Sequence, residues 1–180
     1  MLLAFMVIGD SGNIGRQALA QRAGLGDGAV RTVLKKLRDE GYADADASGC
    51  HLTRPGERIY KLLRNKITHA VVLGGSQLTM GRVQVSLAVR IGGGAVGSGI
   101  EQRDSAIRIG AAGATTYVIK SGRFAIPGGS TDCERDFPSR AWAKLRSALN
   151  PGEGDAVILC GSDSETTARL GALSAALMLL

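Results

Sequence analysis

The stretch that most constrains this 180-residue chain runs from Arg16 to Arg58. Arg16-Gln-Ala-Leu-Ala-Gln-Arg-Ala23 is long enough for about two turns of helix, and Gly24-Leu25-Gly26-Asp27 breaks it. A longer basic segment follows. In it Val30, Leu34 and Leu37 fall at i, i+4 and i+7, which makes one apolar helical stripe. Arg31, Thr32, Lys35 and Lys36 lie off that stripe and face outward. Asp27 suits the N-cap of this helix, because its carboxylate can accept the orphan backbone N–H groups. Gly41 suits its C-cap. Two short strands, Tyr42–Asp46 and Cys50–Thr53, are joined by Ala47-Ser-Gly49. Arg54-Pro55 then opens a helix to Arg64, with Pro55 in the first turn, where its missing N–H costs nothing.

Helix, tight turn, basic helix, hairpin and helix, in that order, make a winged helix-turn-helix, whose second helix enters the major groove of duplex DNA. Leu25 is the one apolar residue of the turn and is expected to plug the core between the two helices. Ahead of the unit, Leu2–Ile8 reads as a helix, Gly9-Asp-Ser-Gly12 as the break after it, and Asn13–Arg16 as a short extended piece. That opening helix is short, so the chain is expected to have further residues upstream or a start placed late.

Charge supports a polyanionic partner. The net formal charge is +6, and it is uneven: residues 1–67 hold eleven Lys/Arg against seven Asp/Glu, residues 68–180 eleven against nine. Excess positive charge bears on partners and not on fold. Aromatics make up 4% of the chain. The cores are therefore expected to be built from Ala, Val, Leu and Ile, and stacking platforms for single-stranded nucleic acid are disfavoured. Three widely spaced cysteines with no CxxC fit a reducing cytoplasm and not a disulfide scaffold. Met1–Ile8 lacks a basic leader and Leu170–Leu180 is too short to span a bilayer, so both are expected to be buried helix segments and no membrane partner is expected.

Residues 68–180 read as a separate α/β domain. Its expected strands are His69–Leu73, Val83–Ile91, Thr115–Lys120, Arg123–Ile126 and Ala156–Cys160; its expected helices are Gly99–Ile109, Pro138–Leu149 and Ser164–Leu179. Ser121-Gly122 is a two-residue hairpin turn, and Asn150–Gly154 is a loop. Helices following strands suggest a layered sheet, and the hairpin makes it a mixed sheet.

Residues 12–58 resemble archaeal winged-helix proteins of the transcription-regulator type. Gly12-Asn-Ile-Gly-Arg16, the run from Gly24 to Leu37, and His51-Leu-Thr-Arg-Pro-Gly56 carry the resemblance. The remainder is similar to a domain of unknown function found fused to such winged helices, through Gly99–Ile107, Gly113–Tyr117, Asp132–Pro138 and Leu170–Ala176. The resemblance implies DNA binding and brings no activity for the second domain. Wings of this type often carry Arg or Lys at the tip. Here Asp44 and Asp46 stand near it and would repel the backbone, so the affinity is expected from the basic helix with Arg16 and Arg54.

Four further groups of residues could carry chemistry. Gly92-Gly-Gly-Ala-Val-Gly97 matches G-x-G-x-x-G between a strand and a helix, but the acid expected about 20 residues on is missing and Lys120 stands near there. Glu101 and Asp104 suit a helix start, and with Arg103 and Arg108 could line a ligand pocket. Cys133 lies among Asp132, Glu134 and Asp136, yet the two histidines of the chain, His51 and His69, are remote in sequence, so neither a zinc site nor a His-activated nucleophile is read there. Asp163 and Glu165 occupy the start of the last helix and disfavour phosphate.

The expectation is therefore an α+β chain: a winged helix-turn-helix DNA-binding domain at residues 1–67 and an α/β domain with a mixed sheet at residues 68–180. The function expected is a cytoplasmic DNA-binding transcription regulator. Arg16, Gly28, Arg31, Thr32, Lys35, Lys36 and Arg54 would contact duplex DNA. The second domain would sense a small-molecule effector, form a homodimer, or both. Arg103, Asp104, Arg108, Cys133 and Asp163 are its candidate ligand residues, and the closing Leu170–Leu180 helix is a candidate dimer surface, its alternative being packing on its own sheet. No catalytic residue, metal or cofactor is assigned. The alternative is an enzyme or nucleotide-binding protein with its site in the C-terminal domain; Arg103, Asp104, Cys133 and Asp163 meeting in one cleft would favour an enzyme or a ligand site, and their scatter a purely architectural second domain.

Overall fold

Val30, Leu34 and Leu37 are buried in one core with Phe5, Ile8, Leu19 and Leu52. The computed structural model, which describes residues 1–91 and 96–180, is α+β with antiparallel sheets and divides into two units, Met1–Arg64 and Asn65–Leu180. The first unit runs α1 (Leu2–Ser11), β1 (Asn13–Ile14), α2 (Arg16–Ala23), α3 (Asp27–Asp39), β2 (Ala43–Asp46), β3 (Gly49–Leu52) and α4 (Arg54–Lys66), the last helix continuing just past the division. β3 lies between β1 and β2, antiparallel to both. Leu25 packs partly buried against the core, as its place in the turn suggested.

Two local expectations are corrected. The break at Gly9 does not occur: α1 continues to Ser11 and stops at Gly12, which has φ +70°. Gly9 is a packing glycine, since a Cβ there would fall inside the Tyr60 ring of α4. Next to it Asp10 accepts from the Tyr60 hydroxyl at 2.7 Å and from the Arg64 guanidinium at 2.7 Å. The N-cap of α3 is Gly26, with Asp27 the first helical residue, so its carboxylate serves the helix dipole without a capping bond. At the other end Gly41 takes φ +74°. Its N–H donates to the Arg38 carbonyl and that of Tyr42 to the Leu37 carbonyl, both at 2.8 Å, a Schellman ending.

The second unit runs β4 (Val71–Gly74), β5 (Val83–Val89), α5 (Ile100–Arg108), β6 (Gly113–Lys120), β7 (Arg123–Ala125), α6 (Cys133–Asp136), α7 (Ala141–Leu149), β8 (Ala156–Ser162) and α8 (Glu165–Leu177). The strand order is β4-β5-β8-β6-β7. The expected mixed sheet is overturned, because every pairing is antiparallel. β5 and β6 do run in the same direction, but β8 lies between them antiparallel to each, so no parallel pair forms. All seven residues of β8 are buried, as a central strand covered on both faces requires. Val157 and Leu159 face a core shared with Trp142, Leu145 and Leu149 of α7. Cys160 points the other way, beneath α8: a Cβ on Gly171 would lie 2.6 Å from its sulfur.

The few aromatics do not follow the expectation of an aliphatic core. Tyr117, Phe124 and Trp142 pack together at centroid distances of 4.9 to 6.1 Å. Arg146, paired with Glu134, covers the Phe124 ring. The Ser121-Gly122 turn has positive φ at both positions, the conformation of a two-residue hairpin, and both its N–H groups donate to the Glu153 carboxylate. Residues 76–81 cross the end of β8. Gln84 holds them through the carbonyls of Ser76 and Thr79, at 2.9 and 2.8 Å, and the Tyr117 hydroxyl donates to the Leu78 carbonyl.

Candidate nucleic-acid interface

With the apolar stripe of α3 buried, the 100° step of the helix turns Arg31, Lys35 and Arg38 onto one shoulder and Lys36 onto the other. The first shoulder faces the hairpin. There a concavity of about 570 Å³ is walled by Arg16, Arg31, Lys35 and Arg38, with Ser48 and Asp46 of the hairpin opposite. A second, of about 410 Å³, lies towards the start of α2 and is lined by Arg16, Gln17, Asp27 and Arg31. Arg16 and Arg31 thus stand between the two hollows. Arg16 opens α2, where the first backbone N–H groups of a helix are unpaired and suit an anion.

Of the residues expected to contact DNA, Arg16, Arg31 and Lys35 are brought together. Gly28 and Thr32 are exposed on the outer face of α3, where the Thr32 hydroxyl donates to the Gly28 carbonyl at 3.0 Å. A Cβ on Gly28 would meet nothing within 4 Å, so the backbone there is open. Lys36 and Arg54 are exposed but line neither hollow.

Sequence reasoning missed Arg38. The signal was present, because Arg38 follows Arg31 by seven residues and shares its face. Its guanidinium pairs with Asp44 of the hairpin at 3.1 Å. Asp46 accepts from the Ser48 hydroxyl and amide, which hold its carboxyl below the usual range. Asn13 of β1 in turn donates to the Ser48 hydroxyl at 2.8 Å. The two hairpin aspartates are thus engaged within the unit, one anchoring Arg38 and the other shaping the tip.

The candidate ligand residues of the second unit do not meet in one cleft. Arg103 and Asp104 pair with each other on α5, and Arg108 is exposed further along the same helix. Asp163 is exposed after β8 and pairs with Arg82. Cys133 is fully buried on the opposite face of the sheet, in the core with Trp142. The segment around it forms α6, capped by the Asp132 carboxylate, which also pairs with Arg123. Residues 92–95 of the G-x-G-x-x-G match lie outside the described residues. Among the described residues no group of three or more His, Cys, Asp or Glu is placed to hold a metal.

All three thiols are buried and free. Burial raises the pKa of Cys50 and Cys133 and pushes Cys160 up to about 12. A thiol needs its thiolate to react. Native protein at pH 8 is therefore expected to resist a disulfide-exchange reagent over minutes, and guanidinium is expected to release all three cysteines. Rapid labelling of any one in the native state would contradict the burial.

Residues 80–179 match the family described as a domain of unknown function, DUF4443. The chain belongs to that family. The DUF4443 match takes in β5 to α8 and leaves the first unit outside it. Among solved structures, a hypothetical protein from Pyrococcus horikoshii OT3 is similar over 99% of this chain and 89% of its own, at 24% identity and a TM-score of 0.78. That likeness shows the fold. A MarR family protein from Mycobacterium tuberculosis is similar over 35% of this chain and 48% of its own, at 25% identity and a TM-score of 0.32, too slight a likeness to bear on function. No curated protein matches. Among the described residues no helix is long and apolar enough to cross a membrane.

Proposed function

We propose that the first unit is a winged helix-turn-helix that binds duplex DNA and that the protein is a cytoplasmic transcription regulator. The observation that carries this reading is the convergence of Arg16, Arg31, Lys35 and Arg38 on one shoulder of α3, beside the hairpin. A major groove admits an α-helix. With α3 inserted, Arg31 can fork onto a guanine edge while Arg16 and Lys35 take phosphates. Arg38, tied to Asp44, fixes the hairpin against α3. Gly28 lets the DNA backbone approach, and Thr32, Lys36 and Arg54 contribute at the margins.

A single module of this kind binds weakly, and a dimer reads two half-sites. The second unit supplies the dimer. An effector, where one binds, has a cavity of about 400 Å³ beside β6 and β7, lined by Val118, Lys120, Ile126 and Thr131. The alternative of a catalytic site there is not favoured, since its candidate residues scatter over α5, α6 and the end of β8.

The test is fluorescence anisotropy of labelled duplex DNA with the purified full chain at 50 and 200 mM salt. Counterion release predicts affinity falling by a factor of roughly 10³ if about six phosphates are neutralised. Absence of binding at low salt, even to a pool of genomic fragments, would overturn the reading.

A further inference from the structure

α5 buries Gln102, Ser105 and Ala106 against the unit and turns Ile100, Arg103, Asp104 and Ile107 outward. Ile100 and Ile107 are 49% and 47% exposed, high for two isoleucines seven residues apart on one helical face. α8 packs antiparallel beside α5: Ser105 bonds Ser174 at 2.7 Å, and Gly110 lies against Thr167. This alignment sets the Ile100 end of α5 next to Leu177 and Met178, which are also exposed. α8 otherwise buries its small residues within its own unit, so the expected dimer helix offers only its last turn. The surface is thus apolar at both ends of α5 and charged in the middle.

We propose that this face binds a second copy of the chain, α5 against α5, about a two-fold axis passing between Arg103 and Asp104. This deepens the reading of a dimeric DNA-binding protein and rests on it for its purpose. The choice of a second copy over another partner follows from the pattern. In an antiparallel pair centred between positions 103 and 104, Ile100 of one copy meets Ile107 of the other, and Arg103 meets Asp104. Both contacts occur twice, as an isologous interface requires. Ile107 of the second copy also closes over Leu177 and Met178. Within one copy Arg103 and Asp104 are sequence neighbours, bonded at 3.0 Å with both side chains about half exposed. Both bonds go to one carboxylate oxygen, Oδ1 of Asp104, which leaves its Oδ2 and the Nη1 of Arg103 for a partner. Nine residues of α5 span only about 13 Å, which sets self-association at the small end of specific interfaces.

Sedimentation velocity of the full chain without DNA, over a concentration series into the tens of micromolar, tests this. Wild type is expected to pass from monomer to dimer. Arg103→Asp and Asp104→Arg are each expected to weaken the dimer by about tenfold or more. The double reversal R103D/D104R restores both cross-pairs and is expected to return to within about threefold of wild type. Ile107→Lys is expected to leave monomer, with its far-UV circular dichroism unchanged. Wild type that stays monomeric, single reversals that dimerise normally, or a double reversal that recovers nothing would each overturn the proposal. DNA binding is scored separately. A monomer that binds DNA in a salt-sensitive way overturns the α5 interface and spares the DNA reading, whereas a dimer disrupted and rescued by these variants but blind to DNA supports the interface and removes that reading.

Discussion

Gly161→Ala is expected to destabilise the protein by about 3 kcal/mol or more, at or beyond the upper end for overpacking a core. Gly161 lies on β8, paired with Gln84 of β5 and Gly113 of β6. A Cβ there would land on the carbonyl oxygen of Met80 and 2.8 Å from its carbon. That obstacle is backbone, and it cannot rotate away as a flexible side chain would. The same crossing is tight from its other side, where Gly81 takes φ +102° and its Cβ would meet the Ser162 amide. Urea denaturation followed by Trp142 fluorescence measures the effect. Gly74→Ala is the control, since a Cβ at that position meets nothing within 4 Å and is expected to change stability by no more than about 0.5 kcal/mol. Equal midpoints for the two variants would show that the crossing does not constrain β8.

The second large effect concerns DNA. The variant Arg31→Ala, Lys35→Ala is expected to lose roughly 100-fold in affinity, taking about 1–3 kcal/mol for a base-contacting arginine and adding the loss of a phosphate contact. The plot of log affinity against log salt should become shallower by about one. Both side chains are exposed and lie outside the core of the unit, so the fold should persist. Lys36→Ala, on the other shoulder, should change affinity by less than about threefold if it is marginal. Equal losses from both variants would mean that general positive charge, and not the shoulder facing the hairpin, sets the binding.

Much of the first unit was legible because its signals are local. The spacing of Val30, Leu34 and Leu37 fixes which face of α3 is buried, and the charged shoulders follow from the same wheel. Gly9 misled because a glycine in a helix and a glycine that ends one look alike until Tyr60, some fifty residues on, is placed against it. Arg38 was passed over though its seven-residue spacing from Arg31 marked it. In the second unit the strands could be read from their apolar runs, but their order could not. The direction of each pairing depends on β8 entering between β5 and β6, and no neighbouring residue encodes that insertion. Cys133 was a candidate ligand residue among its acids, yet it is buried in the core beside the turn that Asp132 caps.

The place of β8 has a consequence for how the chain is made. The first unit is complete once α4 has emerged from the ribosome. β5 ends at Val89, and its central neighbour is not finished until Ser162. At about 5–20 residues per second that interval lasts roughly 4–15 seconds. Throughout it β5 can pair only with β4, and the β6–β7 hairpin has no sheet to join. A growing chain therefore carries one finished unit ahead of two unjoined pieces of sheet, each with an open, apolar edge. For those seconds the faces that β8 will complete stand uncovered, since all seven of its residues are buried only in the finished sheet.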